Sequence, residues 1–563
     1  MSVHGYGIGL QHGRKVGIFN LTEASEGVSM AYKDLREFID ILENEGELLR
    51  VPVTVDWMYE VGGWIRRSVD MRPKGPALLF ENLKGYPPGF QLFSCAVATY
   101  PRFALALGLP KDTPPKEIIN FYRDRIKKPI PPRSVSEGPL KENIILGDEI
   151  DLFKFPVPWW TPRDGGRYIG TWHGIISKDP ETGAPNMGMY RMMIHDRQHT
   201  GVGFLPFTHL GYHYSKCERK NKPLEIAVVI GAEEIIPMVA GTGFPPGVDE
   251  MTMAGALRGE PVELVKCETV DLEVPANAEI VLEGIILPHE RKPEGPFGEH
   301  TGYHGGPVRM RPIFKATAIL HRDNPIFRGC LLGKPTAEDH TLYDIAYSAS
   351  ALEMFDTHGP QGVTAVHCPP EGDSISSMVI AMKPHFIGHS RNVGRTLISS
   401  SVGKYFKYVV VVDDDIDPFD LGQVWWAIVT RTQGSRDIEV LRYGTTSRSD
   451  PSVPRDQPEF TDKVIIDATK KLDYPYDKIW GGHWAPTGMP MKESIELATL
   501  KWEDLVNGTT NNKGKIDALT EKFEQEFFPK WEGWRKGAYE MTPEEQAKDI
   551  SRSYPILKEE GEI

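Results

Sequence analysis

The sequence predicts a multidomain protein that combines α+β and α/β architecture. The chain has 563 residues, which corresponds to about three to four domains of ordinary size. β-type segments recur at residues 168–176, 226–230 and 280–286, separated by Gly and Pro residues. After about residue 325, strand and helix patterns alternate, which indicates an α/β layer.

An N-terminal α/β domain is predicted over residues 30–150. Its first element is an amphipathic helix at 34–42 that ends before Gly46. Residues 1–29 are Gly-rich and weakly patterned, so we expect them to be a leader or an upstream extension. The apolar residues that share one face of the helix are Leu35, Phe38, Ile39 and Leu42.

The middle domain is predicted over residues 151–325. Pro-rich segments at 127–133 and 155–162 interrupt regular structure on either side of its start. The strand-rich pattern that follows is typical of a barrel or a sandwich.

A C-terminal α/β domain is predicted over residues 326–505, followed by a helical tail at 506–563. The tail has apolar residues at helical spacing and is expected to dock on a neighbouring domain or subunit. The predicted elements of the domain are a helix at 342–355, strands at 363–367, 378–382 and 408–412, and a helix at 421–430. The apolar residues of the tail are Ile516, Leu519, Phe523 and Phe527.

Three consecutive acids, Asp413, Asp414 and Asp415, follow the predicted strand at 408–412. Acids at such a position cap a loop or a following helix more often than they bind a metal ion, so we expect capping.

Composition excludes several classes of function. The formal net charge is −14 and no long basic run is present, which disfavours binding to nucleic acid or to an anionic membrane. No apolar run approaches the length of a membrane span. The five cysteines form no CxxC pair, so we expect reduced thiols and a cytoplasmic protein.

Familiar catalytic motifs are missing. Residues 329–335 resemble a phosphate-binding loop, but the glycine spacing is one residue short and Pro follows the lysine. The sequence contains neither GxSxG nor HExxH, so it gives no support to hydrolases of those kinds.

Glu294 and Glu299 are the first candidate site residues. Gly-Pro-Phe-Gly separates them, and such a turn can direct both carboxylates into one cleft. A neighbouring acid raises the pKa of a carboxyl group, which makes a glutamate a proton donor near neutral pH. Two exposed acids on a turn are the simpler alternative.

A second segment contains Asn186 and Arg191 and is followed by Thr208 and His209. An arginine beside two carboxylates can hold an anionic substrate in a bidentate manner. Asn, His and carboxylate together suit Mn²⁺ or Mg²⁺ bridging a phosphate. Singly, Asn186 is most often a turn residue and His209 a buried histidine with a satisfied hydrogen bond.

Taken together, these segments resemble the UbiD-type decarboxylase family, which includes ferulic acid decarboxylase and 3-octaprenyl-4-hydroxybenzoate decarboxylase. The resemblance extends from Met30 to about residue 505. The matching segments are 32–39, 170–172, 186–191, 247–250, 254–259, 274–284, 294–303, 413–417 and 424–427.

The resemblance implies a split β-barrel-like middle domain that binds prenylated FMN, and a C-terminal oligomerisation domain. It also implies that K⁺ and a divalent metal, usually Mn²⁺ or else another such as Mg²⁺, hold the cofactor phosphate. The residues that match metal ligands are Asn186, His209 and Glu250. The residues that match cofactor-binding positions are Thr171, Met189, Tyr190, Arg191, Thr208, His209 and Glu250.

Arg191, Glu294 and Glu299 match the catalytic residues of the family. The implied reaction is reversible, non-oxidative decarboxylation of an aromatic or α,β-unsaturated acid, with the modified flavin as electron sink. Arg191, paired with Glu294, would orient the substrate carboxylate. Glu299 would protonate the carbon that loses CO₂.

The chain departs from the family near the cofactor phosphate, where a family lysine aligns with Ser401, close to Lys404 and Lys407. That phosphate contact is therefore left unassigned. Thr208, His300 and His340 lie near the expected substrate pocket, where packing or a turn hydrogen bond is the simpler role for each.

Several alternatives stay open at this point. The substrate is either a free (hydroxy)aryl acid or an aromatic acyl-CoA, and the physiological direction is either decarboxylation or carboxylation. A non-catalytic UbiD-like subunit and an ordinary FMN oxidoreductase are the competing classes. The expected partners are the aromatic acid, a flavin prenyltransferase that supplies the cofactor, and further copies of the chain in a homodimer or homohexamer.

Overall fold

A computed structural model describes residues 32–447, 449–454, 460–477 and 482–527. The predicted leader at 1–29 and the end of the predicted tail lie outside the described residues. The chain divides into one compact unit that ends at Thr469 and a second that begins at Lys470.

The helices of the first unit are α1 (Leu35–Asn44), α2 (Glu60–Asp70), α3 (Tyr100–Ala106), α4 (Pro115–Ile126), α5 (His209–Arg219), α6 (Ile235–Gly241), α7 (Glu250–Arg258), α8 (Glu338–His358), α9 (His389–Ser399), α10 (Leu421–Arg431) and α11 (Gly434–Asp437). The strands are β1 (Leu48–Val51), β2 (Ala77–Phe80), β3 (Gln91–Ser94), β4 (Arg133–Ser134), β5 (Asn143–Leu146), β6 (Tyr168–Gly170), β7 (His173–Lys178), β8 (Pro185–Gly188), β9 (Met192–Ile194), β10 (His199–Val202), β11 (Leu224–Ile230), β12 (Glu263–Lys266), β13 (Glu273–Pro275), β14 (Ile280–Glu294), β15 (Arg309–His321), β16 (Ile326–Arg328), β17 (Val363–His367), β18 (Ser377–Met382), β19 (Tyr408–Asp413), β20 (Ile438–Thr445) and β21 (Phe460–Ala468).

Helix α1 confirms the first predicted element. The Asp34 side chain accepts a hydrogen bond from the Glu37 amide at 2.9 Å and so caps the helix. Gly46 follows the helix with φ of +71°, a conformation that glycine adopts without strain. The four apolar residues predicted to share one face, Leu35, Phe38, Ile39 and Leu42, are all buried.

A four-stranded sheet of order β1-β2-β3-β16 joins the N-terminal part to a distant segment. Strand β16 pairs in parallel with β3. Arg328 at its end is buried and pairs with Glu234 at 2.7 Å and Glu338 at 2.6 Å. The chain thus returns to the N-terminal sheet after it completes the middle region.

The middle region is built on a nine-stranded antiparallel sheet. Its order is β6-β9-β10-β15-β14-β11-β7-β8, and β5 also pairs with β15. Between the described ends β6 and β8 the sheet is not closed, so it forms a curled half-barrel. Strands β14 and β15 are its longest pair and extend beyond the sheet body to Glu294. A separate sheet of order β13-β12-β4 completes this region.

The C-terminal α/β layer is a five-stranded mixed sheet of order β17-β18-β19-β21-β20. Helices α9 and α10 pack on this sheet. Asp413 and Asp415 accept hydrogen bonds from the Arg431 guanidinium at 2.7 and 2.9 Å. They do not cap the following helix, which is one of the two capping roles that the sequence predicts for them. The prediction missed this contact because Arg431 lies at the far end of α10, whose N-cap is Asp420.

The second unit contains the helices α12 (Lys492–Asn507) and α13 (Lys513–Lys522). The predicted helical spacing is confirmed for Ile516 and Leu519, which lie in α13, and Phe523 begins a short π-helical turn. In the part of the chain that the structure describes, no helix is long and apolar enough to cross a membrane. All five cysteines are free thiols.

Candidate active site

The structure brings Arg191, Glu294 and Glu299 together from three places in the chain. Arg191 lies between β8 and β9, Glu294 ends β14, and Glu299 lies in the loop that follows. The Arg191 guanidinium donates to Glu294 through Nε–Oε1 at 2.9 Å and Nη2–Oε2 at 3.0 Å. Its Nη1 donates to Glu299 Oε1. One arginine therefore holds both carboxylates, as bidentate geometry allows.

Glu294 is the fixed member of this group. Its side chain is fully buried, and the Tyr168 hydroxyl donates to its Oε1 at 3.0 Å. A second arginine, Arg311, places Nε 3.9 Å from Glu294 Oε2. A buried carboxylate needs hydrogen bonds and nearby positive charge to offset its lost hydration. Tyr168 supplies a hydrogen bond and Arg311 a positive charge, and Glu294, so held, keeps Arg191 in one orientation.

Glu299 is placed differently and retains 19% of its side-chain exposure. Burial raises the pKa of its carboxyl above the ordinary value, although the Arg191 charge acts in the opposite direction. Glycine at 305 leaves room for this side chain, because a Cβ there would lie 2.4 Å from Glu299 Cγ. The group that can release a proton is thus the one nearer to solvent.

Asp164 contacts the loop that carries Glu299 at one residue before and one residue after that glutamate. The Asp164 carboxylate accepts a hydrogen bond from the Gly298 amide at 3.1 Å and lies 3.3 Å from His304 Nε2. Within the loop, the Glu299 amide donates to the Tyr303 carbonyl at 2.9 Å. The backbone of residues 298–304 is therefore held at several points around Glu299.

Asn186, His209 and Glu250 form a second cluster. His209 Nδ1 lies 2.8 Å from Asn186 Oδ1, and Glu250 Oε2 accepts a hydrogen bond from the amide of Met187 at 2.8 Å. Strand β8 and the first residues of α5 and α7 supply the three side chains. Residues far apart in sequence thus converge on one place.

The donor set of this cluster fits a divalent cation. Glu250 is buried, and this burial raises the pKa of its carboxyl to about 7, whereas an adjacent cation would favour the charged form. Burial also lowers the pKa of His209, so its imidazole is neutral and able to act as a ligand. The amide nitrogen of Asn186 is buried without a hydrogen-bond partner among the described residues.

Among the described residues, no group of three or more His, Cys, Asp or Glu side chains is arranged to hold a metal ion. The set Asn186, His209 and Glu250 contains only two residues of those types. Its ability to hold a cation therefore rests on the mixed oxygen and nitrogen donors described above.

The four other predicted cofactor-binding residues lie on β6, β8, β9 and α5 or directly beside them. The Thr171 hydroxyl accepts a hydrogen bond from the Cys330 amide at 3.0 Å, and the Met189 amide donates to the Ala240 carbonyl at 3.0 Å. Tyr190 is largely enclosed, and burial raises the pKa of its hydroxyl.

Thr208 is the N-cap of α5, where its hydroxyl accepts from the Gly211 amide at 3.3 Å and donates to the Leu205 carbonyl at 2.8 Å. This position places it beside His209. The capping contact is the turn hydrogen bond that the sequence allowed for this threonine.

His300 and His340 are held by protein groups. His300 Nδ1 lies 2.6 Å from Asp373 Oδ1, and the carbonyl of His300 accepts a hydrogen bond from His340 Nε2 at 2.7 Å. On the side of the unassigned phosphate contact, Ser401 and Lys404 are exposed, while Lys407 pairs with Asp450 at 3.0 Å.

Sequence reasoning missed Tyr168, Asp164 and Arg311. Tyr168 lies more than a hundred positions from Glu294, and Asp164 more than a hundred positions from Gly298, and no local spacing links either pair. For Arg311 the sequence offers only its spacing from Arg309, because two residues that are two positions apart face the same side of a sheet once they lie in a strand, as they do in β15.

Comparison with known families places this site in context. Family models of the 3-octaprenyl-4-hydroxybenzoate carboxy-lyase match three consecutive segments of the chain. The N-terminal domain matches residues 39–122, the Rift-related domain residues 133–335, and the C-terminal domain residues 340–468.

Two curated relatives have decarboxylase names. The phenolic acid decarboxylase of Bacillus subtilis is 34% identical over 490 residues, which cover 85% of this chain and 100% of that protein. The pyrrole-2-carboxylic acid decarboxylase of Pseudomonas aeruginosa is 34% identical over 419 residues, or 72% of this chain and 84% of that protein.

Solved structures have the same architecture. The vanillic acid decarboxylase of Sedimentibacter hydroxybenzoicus, in its open form, matches with a TM-score of 0.75 and 32% identity, covering 85% of this chain and 99% of that one. The UbiD-class enzyme HmfF from Pelotomaculum thermopropionicum, in complex with FMN, matches with a TM-score of 0.73 and 34% identity, covering 83% and 99%. An evolved dimeric form of HmfF in complex with prFMN matches with a TM-score of 0.69 and 33% identity, covering 79% and 97%.

The mixed α/β fold with its curled half-barrel sheet is that of a class of carboxy-lyases whose solved members include flavin complexes. The chain belongs to the UbiD family of 3-octaprenyl-4-hydroxybenzoate carboxy-lyases. Its decarboxylase relatives act on aromatic acids by name, and solved members hold FMN or prFMN.

Proposed function

We propose that this protein catalyses the reversible, non-oxidative decarboxylation of an aromatic or α,β-unsaturated carboxylic acid with prenylated FMN as cofactor. The observation that carries the proposal is the Arg191 guanidinium, which holds the buried Glu294 and the partly exposed Glu299 at once. An oxidoreductase that merely binds FMN has no need of this arrangement.

The residues present fit the cofactor and its metal. Asn186, His209 and Glu250 would hold Mn²⁺, or another divalent ion such as Mg²⁺, and with K⁺ this ion would bind the flavin phosphate. Thr171, Met189, Tyr190 and Thr208 would line the flavin. Prenylated FMN, when bound, supplies the electron sink that decarboxylation requires.

Arg191 binds and orients the substrate in this proposal. Its guanidinium is fixed by two hydrogen bonds to Glu294, which Tyr168 and Arg311 hold in turn. A carboxylate that reaches Arg191 would meet a preorganised cation, so little reorganisation accompanies binding.

Glu299 supplies the proton in this proposal. Its raised pKa keeps more of the carboxyl protonated at a given pH than an exposed glutamate would have. After CO₂ leaves, Glu299 donates this proton to the carbon atom that carried the carboxylate. In the carboxylation direction the same group accepts the proton.

The substrate belongs to the aromatic acids in this proposal, because the relatives are named for phenolic acids, vanillic acid and pyrrole-2-carboxylic acid. A flavin prenyltransferase would supply the cofactor. A cytoplasmic location, expected from the reduced thiols, and a homodimer or homohexamer belong to the same proposal.

Mass spectrometry of the bound cofactor tests this proposal. The protein is co-expressed with a flavin prenyltransferase, and metal content is measured on the same sample. Prenylated FMN with a divalent metal is the expected result. Unmodified FMN would favour an ordinary flavin oxidoreductase, and the absence of any flavin would favour a non-catalytic subunit.

A further inference from the structure

A cavity of about 320 Å³ lies against the loop that carries Glu299. The loop residues Gly298, Gly302, Tyr303 and His304 line this cavity, but neither Glu299 nor Arg191 does. Helix α2 forms the facing wall. The volume falls within the range of about 300–1,000 Å³ that is usual for small-molecule sites.

Gly63 and Gly333 leave space open in this cavity. Gly63 follows Gly62 in α2, where a glycine costs about 1 kcal/mol relative to alanine. Packing explains Gly62, since a Cβ there would lie 2.4 Å from the Trp160 carbonyl oxygen. Gly63 has no atom within 4 Å of such a Cβ, and the same holds for Gly333 on another wall. Neither is required by close contact, and both leave the cavity unfilled.

The lining has an apolar part and a basic part. Trp160, Ile65 and Leu331 supply apolar surface. Lys334 is exposed at the cavity and has no ion pair among the described residues, and its carbonyl accepts a hydrogen bond from Arg66 at 2.6 Å. A planar apolar molecule with one negative charge complements both parts.

The cavity is connected to Glu299 through the backbone. Asp164 binds the Gly298 amide and His304, and both residues line the cavity. These two residues bracket Glu299 in sequence. A molecule in the cavity would contact the loop on both sides of the glutamate and restrict its motion.

We propose that this cavity is a second ligand site, which binds a small aromatic monoanion and thereby stabilises the 298–304 loop. The ligand class follows from three features of the cavity: its apolar walls, its volume, and the ammonium group of Lys334, which has no ion pair among the described residues. Binding and loop stabilisation do not depend on the proposed decarboxylase activity, whereas any effect on turnover rests on that proposal.

The test compares Gly63→Phe, which fills the cavity, with Gly63→Ala, which leaves it open. Binding of 2-naphthoate to the full chain is measured by isothermal titration calorimetry. Under the proposed function the carboxylate of this probe also binds Arg191, so we expect two binding events in the unmodified chain and in Gly63→Ala. Gly63→Phe should lose one event, or weaken it at least tenfold.

Gly333→Leu is the second cavity-filling variant, and circular dichroism establishes that each variant is folded. Equal binding by Gly63→Phe and Gly63→Ala would overturn the proposal. If the decarboxylase assignment were wrong, the event at Arg191 would be missing, but the event sensitive to Gly63→Phe would remain.

Hydrogen exchange of the unmodified chain tests the effect on the loop and requires no variant. We expect 2-naphthoate to slow amide exchange in residues 298–304, and Gly63→Phe to lose that protection. Unchanged exchange in the unmodified chain at saturating probe would contradict the proposal.

Discussion

Glu299 and Glu294 are chemically identical residues in different surroundings. Glu294 is fully buried beside Arg191, Tyr168 and Arg311, whereas the Glu299 carboxylate is hydrogen-bonded to Arg191 and keeps partial contact with solvent. Their environments therefore separate an anchoring carboxylate from one that can exchange a proton.

Replacing Glu299 by Gln should abolish turnover without affecting folding or flavin content. The amide is nearly isosteric but cannot release a proton at this position. Turnover is measured on flavin-loaded protein, and Glu290→Gln, an exposed site on β14, the strand that precedes this loop, is the control. Turnover that persists in Glu299→Gln would rule out its role as proton donor.

The rate should fall as pH rises through the raised pKa of Glu299, because only its protonated form donates. The basic limb of the kcat profile should therefore lie above the value of about 4.3 that is usual for glutamate. The Arg311 charge lowers the pKa of Glu299, so Arg311→Met should move this limb to higher pH. A limb that stays in place or shifts to lower pH in Arg311→Met would contradict the assignment.

His209→Ala should deplete divalent metal and flavin together, since the metal would link the cluster to the cofactor phosphate. Elemental analysis and flavin absorbance are measured on the same preparation. His358→Ala, an exposed histidine at the end of α8, serves as control. Unchanged metal content in His209→Ala would remove His209 from the ligand set.

The site residues show how far sequence reasoning extends. Motifs and the family resemblance pointed to Arg191, Glu294 and Glu299, which the structure brings into contact. Asp164 and Tyr168 could not be identified from the sequence, because their contacts depend on the folded sheet and not on neighbouring residues.

At the scale of elements, the loop after β14 depends on one small residue. A Cβ at position 305 would lie 2.6 Å from Glu299 Oε1, which is too close for either group to remain in place. Glu299, the proposed proton donor, can therefore keep its position because residue 305 has no side chain.

Gly305→Ala should displace Glu299 and lower turnover at least tenfold, while flavin and metal content stay unchanged. A loss of one to two orders of magnitude corresponds to misplacing a reacting group by about 1 Å. Gly434→Ala, where a Cβ meets no atom within 4 Å, is the control. Equal turnover in Gly305→Ala and Gly434→Ala would show that the contact can relax.

Element types could be predicted from the sequence more easily than element boundaries. The predicted strand at 168–176 is two strands, since the chain turns at Thr171 and Trp172 between β6 and β7. The strand predicted at 280–286 continues to Glu294, because its exposed half gains hydrogen bonds from β15. Pairing of this kind depends on the partner strand, so the local periodicity of one strand does not predict it.

At the scale of the whole molecule, helix α10 presents large apolar side chains to solvent. Trp425 is 66% exposed and Val429 63% exposed. Exposed clusters of this kind mark interaction surfaces, which agrees with the proposed oligomer of the C-terminal layer.

Trp425→Glu should shift the protein toward the monomer, because it places a charge within the proposed apolar contact. Light scattering after size exclusion should give two or six times the 63.2 kDa chain mass for the unmodified protein. Val53→Glu, at an exposed site in the N-terminal part, should leave the mass unchanged. An unaltered mass for Trp425→Glu would place the interface elsewhere.

The mixed α/β class could be read from the sequence, but the path of the chain between layers could not. Strand β16 has only three residues and follows the middle region directly, so its sequence gives no sign that it pairs with β3. Long-range pairing of short strands is decided by the assembled core.

This pairing has a consequence for protein synthesis. Strand β3 emerges from the ribosome early, but its partner β16 follows only after the residues between Ser94 and Arg328 have been translated. At about 5–20 residues per second this delay is on the order of 10–50 s. For that period one edge of the N-terminal sheet stays open to nascent chains and chaperones. The rate of translation through the middle region therefore determines how long the edge of β3 lacks its partner strand β16.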